Sequence, residues 1–126
     1  MPIITVYGLP NIAERKLTDL YERILSGILE VENLHLKKED ITVFFPPDKM
    51  DYGLGIEIIV FVDGLFEKPE RTEEVRNRLA EKIGKEIRQF FLINVHEKPP
   101  IKLPKLIEVF IRSFNPRMGF WSSADK

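Results

Sequence analysis

The residues MPIITVYG, positions 1–8, decide how the fold begins. Ile3 to Tyr7 is a run of β-branched and aromatic side chains, which is typical of a strand, and Gly8 and Pro10 follow as breakers. Because proline has no backbone N–H to donate, Pro2 suits the first position of that strand. If the initiator methionine is removed, Pro2 also carries a secondary amine there. The opening stretch therefore predicts a strand and presents one candidate reactive group.

Apolar side chains recur at helical spacing in two later parts of the chain. The first stripe runs from Leu17 to Ile28 and the second from Val75 to Phe90. Asn11 is predicted to cap the first helix, with Glu14 three residues later completing a capping-box pair. The second helix is predicted to begin within residues 69–73.

Three further apolar runs predict strands: Ile41 to Phe45, Ile56 to Val62 and Leu106 to Phe114. Asp63-Gly64 is predicted to turn the chain after the third strand. That strand is apolar on both faces apart from Glu57, which indicates a central and covered position in the sheet.

The element order is strand–helix–strand, repeated once, which predicts an α+β fold. One domain, 1–126, would hold a first βαβ unit over about 2–46, a second over about 55–114, and a tail over 115–126. Together the units predict a four-stranded sheet with both helices on one face. Neither face of the first strand is polar enough to meet water, so the uncovered face is expected to pack against other subunits.

Composition excludes several classes of function. The chain has 126 residues and a net charge of −1, which gives no electrostatic footprint for nucleic acid. It has no cysteine and only two distant histidines, so neither a metal site nor a cofactor is expected. No apolar run approaches membrane-spanning length, and a cytoplasmic protein without a membrane partner is expected. Abundant charge and a single glutamine give a weak indication of a thermophilic source.

Three stretches of the chain form a recognisable set: Pro2 followed directly by a strand, ITVFFPPDKMDYG at residues 41–53, and the aromatic tail from Phe114 to Trp121. Together they resemble the tautomerase superfamily, which includes 4-oxalocrotonate tautomerase, 5-carboxymethyl-2-hydroxymuconate isomerase and macrophage migration inhibitory factor. The resemblance implies a migration-inhibitory-factor-like homotrimer whose sheets line its centre. The ferredoxin-like split βαβ fold has the same element order and is the alternative.

The same resemblance implies an N-terminal proline that acts as a catalytic base. Keto–enol tautomerisation needs a base that titrates near the working pH and a group that stabilises the enolate. An α-amine titrates at about 8, and burial or a nearby cation lowers that pKa. Pro2 is therefore the predicted base, and Arg112 is predicted to bind a substrate carboxylate or the enolate oxygen.

Other side chains complete the predicted site. Lys38 and Arg117 are candidates for a second carboxylate or the entrance, and Tyr52 and Phe110 for apolar walls. In the family the site lies between subunits, so some of these residues would come from a neighbouring chain. Each also has a structural interpretation: Arg112 as an interface ion pair, and the aromatic residues as packing.

Two functions follow. The first is a cofactor-independent tautomerase or isomerase that moves a proton in a small 2-oxo or 2-hydroxy-unsaturated carboxylic acid. The second is a non-catalytic assembly or binding protein of tautomerase-like or ferredoxin-like fold. The second is motivated by departures from the family, because the arginines that small tautomerases carry are absent from residues 8–12 and 41–43.

Overall fold

The structure, a computed structural model, describes residues 2–47, 57–97 and 100–124. Tyr52 lies outside the described residues. The regular elements, in chain order, are β1 (Ile3–Tyr7), α1 (Glu14–Leu29), β2 (Thr42–Phe44), β3 (Glu57–Phe66), α2 (Glu73–Asn94) and β4 (Leu106–Phe114). Short 3₁₀ helices lie at Glu32–Leu34, Lys38–Asp40 and Pro116–Met118. Neither α1 nor α2 has a stretch apolar and long enough to cross a bilayer, within the part of the chain described.

The four strands form one mixed sheet in the order β2-β1-β3-β4. β1 pairs in parallel with β2, β3 pairs in parallel with β4, and the two central strands, β1 and β3, are antiparallel. Each parallel pair with its helix is one strand–helix–strand unit. The predicted four-stranded α+β architecture and the central place of the third strand are confirmed.

The core lies between the sheet and both helices, which pack on the same face. Side chains from this face of β1 and β3 are fully buried against the apolar stripes of α1 and α2. They include Ile4, Val6, Ile58, Val60 and Val62 from the strands, and Leu20, Ile24, Ile28, Leu79, Ile83 and Ile87 from the helices. The opposite face, called the open face below, carries the exposed side chains of Ile3, Tyr7, Phe44 and Phe110.

The predicted N-cap of the first helix was wrong. α1 begins at Glu14, its N-cap is Ala13, and no side chain caps it. Leu9 and Ile12 pack against the core, and this contact holds the chain outside the helix for longer than the capping pattern indicates. α2 does have a side-chain cap, because the Thr72 hydroxyl accepts a hydrogen bond from the Val75 N–H at 3.2 Å.

The predicted turn at Asp63-Gly64 was also wrong, because both residues lie inside β3. The register with β4 shifts between Val62 and Leu65, which is a β-bulge, and pairing then continues to Phe66. Gly64 has φ of 72°, a conformation that glycine adopts without strain. Burial of the Leu65 side chain stabilises the part of the strand that continues beyond the bulge.

Candidate functional site

Pro2 lies buried at the head of β1, where three segments of the chain meet. Its carbonyl accepts a hydrogen bond from the Thr42 N–H at 3.2 Å, which ties it to β2. On the other side, Ile3 is opposite Asp63, so the bulge at Gly64 lies beside Pro2. β2 therefore holds the backbone of Pro2 on one side, and on the other side the pairing of β1 with β3 begins at the next residue, Ile3.

A cavity of about 190 Å³ opens at this point and is called the Pro2 cavity below. The first strand, the segment before β2, and the segment from β3 to α2 all contribute to its wall. Its lining residues are Pro2, His35, Leu36, Asp40, Gly64, Phe66, Lys68 and Arg71. A candidate base, two cations and one carboxylate thus share one small space.

Arg71 is the most constrained of these side chains, being only 7% exposed. Its Nη1 donates a hydrogen bond to the Phe66 carbonyl at 2.8 Å, and its Nη2 donates one to the Leu34 carbonyl at 3.0 Å. Its Nε is buried and has no hydrogen-bond partner in the described part of the chain. Two carbonyls therefore hold the guanidinium in place, and its positive charge stands at the wall of the Pro2 cavity.

The segment before β2 is held by its own backbone and by Asp40. The Asp40 carboxylate accepts a hydrogen bond from the Lys37 N–H at 2.9 Å, and the Asp40 N–H donates one to the Lys37 carbonyl at 2.9 Å. His35 has φ of 52°, in the left-handed region that few non-glycine residues adopt. A residue held in that conformation at the wall of a cavity is a feature often found at functional sites.

Arg112 does not line the Pro2 cavity. Its Nε donates to one Asp63 oxygen at 2.6 Å and its Nη2 to the other at 2.8 Å, and hydrogen bonding to Asp63 raises the pKa of Arg112. The guanidinium lies 4.1 Å from the centre of the Phe61 ring, and Phe110 stacks on that ring at 5.4 Å. Arg112 and Phe110 therefore belong to the open face.

Other predicted site residues also lie outside the Pro2 cavity. Lys38 Nζ is 3.6 Å from a Glu22 carboxylate oxygen, and Arg117 is exposed in the 3₁₀ helix after β4. Of the predicted residues that the structure describes, Pro2 alone lines the cavity. Among the described residues, no group of three His, Cys, Asp or Glu side chains could hold a metal ion.

The sequence analysis missed Asp40, Lys68 and Arg71, although the topology carries a signal for them. Parallel pairing puts residues just before β2 beside residues just before β1, which is where Asp40 and Pro2 lie. Antiparallel pairing of β1 with β3 brings the segment after β3 to the same edge. Once the strand order is known, it therefore predicts that Lys68 and Arg71 lie near Pro2.

The sequence matches no family model and no curated protein. The structure is similar to Pt0534 inactivated by 2-oxo-3-pentynoate, with a TM-score of 0.70 and 17% identity over 97% of this chain and 92% of that chain. It is similar to native fused 4-OT, with a TM-score of 0.70 and 12% identity over 98% and 94% of the two chains. A malonate semialdehyde decarboxylase, studied for decarboxylase and hydratase activities, has a TM-score of 0.62 and 13% identity over 98% and 91%.

These likenesses extend over nearly the whole chain and nearly the whole of each neighbour. The chain has the same fold as these structures, and the predicted tautomerase-like fold is confirmed.

Proposed function

We propose that the protein is a cofactor-independent tautomerase or isomerase of small 2-oxo or 2-hydroxy-unsaturated carboxylic acids, with Pro2 as general base. One observation carries the proposal: Pro2 is buried in a cavity of about 190 Å³ together with Arg71, whose buried Nε has no partner in the described residues. Removal of the initiator methionine is part of the proposal, because only then is the Pro2 nitrogen an amine.

Burial and positive charge suit Pro2 to this role. Both effects disfavour a charged ammonium and lower the pKa of the amine from its usual value of about 8. Arg71 and Lys68 supply two positive charges from the cavity wall, against the one negative charge of Asp40. The Pro2 amine is then neutral at physiological pH and can act as the base without a second group to deprotonate it.

The reaction on a 2-hydroxy-2-enoate balances with the amine alone. The amine removes the proton of the enol hydroxyl, and C3 then takes a proton from the ammonium, which leaves a 2-oxo acid and the free amine. The positive charge of Arg71 attracts the substrate carboxylate to the cavity wall, and Lys68 stabilises the negative oxygen of the intermediate.

The small volume of the cavity suits a small substrate. Pockets for drug-sized ligands begin at about 300 Å³, and the Pro2 cavity is smaller. We therefore infer that a chain of few carbons is preferred over an aryl-substituted acid, so that 2-hydroxypenta-2,4-dienoate is a better substrate than enol phenylpyruvate.

A second reaction is favoured by Asp40. Proton transfer between oxygen and carbon needs one base, yet the cavity holds a carboxylate as well as the proline. A carboxylate beside a bound acid can activate a water molecule, which hydration of a small unsaturated or 3-oxo acid requires. The similar malonate semialdehyde decarboxylase has been studied for decarboxylase and hydratase activities, which makes malonate semialdehyde a sensible second test substrate.

Assembly into a homotrimer is part of the same proposal. The open face carries exposed Ile3, Tyr7 and Phe110, and a fused 4-OT of similar fold is described as a trimer. Contiguous exposed apolar side chains of this kind mark interaction surfaces. In such a trimer Arg112, Phe110, Lys38, Tyr52 and Arg117 would serve a neighbouring subunit's cavity, and the tail 115–126 would contact that subunit. Analytical ultracentrifugation tests the trimer, and a monomer would contradict it.

The test of activity uses tag-free protein whose mass establishes that the methionine is absent. Conversion of 2-hydroxypenta-2,4-dienoate is followed by ultraviolet absorbance for the protein, for a form with one extra residue before Pro2, and for Arg71→Met. We expect rapid conversion by the first and at least about a hundredfold loss in the other two. Arg78→Met on the exposed side of α2 is the matched control and should keep full activity.

Absence of any rate above buffer with verified free Pro2, on enol acids and on malonate semialdehyde, would refute the enzymatic proposal. It would favour the non-catalytic assembly or binding protein. Equal activity with and without an extra N-terminal residue would exclude Pro2 as the base.

A further inference from the structure

A second, larger cavity lies between α2 and the segment that leads into β4. Its volume is about 380 Å³, and it is called the basic cavity below. Its lining residues are Gly84, Lys85, Arg88, Phe91, Leu92, Leu103, Pro104, Lys105, Leu106 and Ile107. It shares no lining residue with the Pro2 cavity, and about 20 Å of α2 separates Arg71 from Arg88.

Leu103, Pro104 and Lys105, at the end of the proline-rich stretch HEKPPIKLPK, form part of one wall of this cavity. No step of the proposed reaction uses that stretch. The wall is apolar where it meets the helix: Leu103 and Leu92 are 41% and 42% exposed, and the buried Phe91 also lines the cavity. Apolar area of this kind is left facing solvent within a concave site, which is the usual form of a small-molecule pocket.

The charge of the basic cavity is one-sided. Lys85, Arg88 and Lys105 line it, and no acidic residue does so among the described residues. Lys85 is paired with Glu81 at 2.9 Å, whereas Arg88 and Lys105 have no carboxylate within 4.0 Å in the part of the chain described. A chain with a net charge of −1 thus concentrates unpaired positive charge at one apolar cleft.

We propose that the basic cavity binds a medium-chain carboxylate. The carboxylate lies between Arg88 and Lys105, and the alkyl chain covers the exposed surfaces of Leu92 and Leu103. An inorganic anion or a nucleic-acid phosphate would satisfy the cations but leave the apolar wall in water. A purely apolar ligand would leave the two cations unused. A molecule that is apolar along its length and anionic at one end would both pair with the cations and cover the apolar wall.

Isothermal titration calorimetry with octanoate tests the proposal directly. We expect one octanoate per chain, with butyrate and octylammonium each binding at least about tenfold more weakly. The butyrate comparison reports on the apolar wall, and the octylammonium comparison reports on the cations. Octylammonium binding as tightly as octanoate, or no octanoate binding at millimolar concentration, would overturn the proposal.

Variants locate the site. The double variant Arg88→Glu with Lys105→Glu should weaken octanoate binding by about tenfold or more, whereas Arg78→Glu, on the same helix but outside the cavity, should leave it within about twofold. Equal weakening by Arg78→Glu would mean that only overall charge matters, and the proposal would fail.

A steric variant keeps the test independent of charge. A Cβ at Gly84 would meet only the Val109 side chain, at 3.7 Å, so a larger residue is tolerated there and α2 gains helix propensity. Gly84→Leu should abolish octanoate binding while the circular dichroism spectrum is unchanged. Arg71→Met should bind octanoate normally, and loss of binding in that variant instead would assign the ligand to the Pro2 cavity and refute the proposal.

Discussion

Replacing Arg71 with methionine removes two hydrogen bonds that join three segments of the chain. The guanidinium links the start of α2 to the Phe66 carbonyl at the end of β3 and to the Leu34 carbonyl before β2. Hydrogen bonds to a charged donor contribute about 1.5–3 kcal/mol each, so the pair is worth about 3–6 kcal/mol. Relief of the buried, unpartnered Nε returns about 1–3 kcal/mol. We expect a net loss of about 2–3 kcal/mol in the free energy of unfolding.

The assay is urea unfolding followed by far-ultraviolet circular dichroism. With a slope of about 1–3 kcal/mol per molar urea, the midpoint should fall by about 1–2 M. Arg71→Lys keeps the charge but not the two-pronged geometry, so its midpoint should lie between those of wild type and Arg71→Met. The exposed Arg78→Met is the control and should change stability by less than about 0.5 kcal/mol. Equal midpoints for Arg71→Met and Arg78→Met would refute the argument that Arg71 holds these segments together.

Three further results are expected. Gly8→Ala should lose more than about 3 kcal/mol or fail to fold, because Gly8 has φ of 89° and its new Cβ would strike the Glu57 carbonyl oxygen; a near-wild-type melting curve would contradict this. Thr72→Ala removes the cap on the Val75 N–H and should cost about 1 kcal/mol, seen as a fall of about 4 °C in Tm; an unchanged Tm would show that the cap contributes nothing. For Pro2, kcat/KM should rise with pH and level off above an apparent pKa below about 8, because only the neutral amine is a base; a flat profile from about pH 5 to 9 would count against it.

Helical periodicity predicted the core well because burial follows the repeat directly. The predicted stripe of α2, from Val75 to Phe90, is buried along its whole length, and most of the α1 stripe is buried too. Local signals at element ends were less reliable. Asn11 is a residue type that commonly caps helices, but the N-cap of α1 is Ala13. Packing of Leu9 and Ile12 against the core decides where the helix starts.

The site was harder to predict because it depends on which loops meet. Periodicity assigns a residue to a face of its own element and says nothing about the neighbour across the sheet. Arg112 was predicted to bind the substrate. Its ion pair with Asp63 was not predicted, because Asp63 was expected to lie in a turn and not in a strand beside β4. Arg71 and Asp40 became visible only with the strand order, which brings both to the head of β1.

The two strand–helix–strand units differ in one way that no substitution can remove. β3 begins within the chain, where its nitrogen is always part of a peptide bond, whereas the proposed function requires β1 to follow a free amine on Pro2. The proposed enzyme, although built of two similar units, therefore has only one such amine. A reagent that alkylates that amine should saturate at one equivalent per polypeptide, and in the proposed homotrimer three such equivalents would inactivate an assembly of six units.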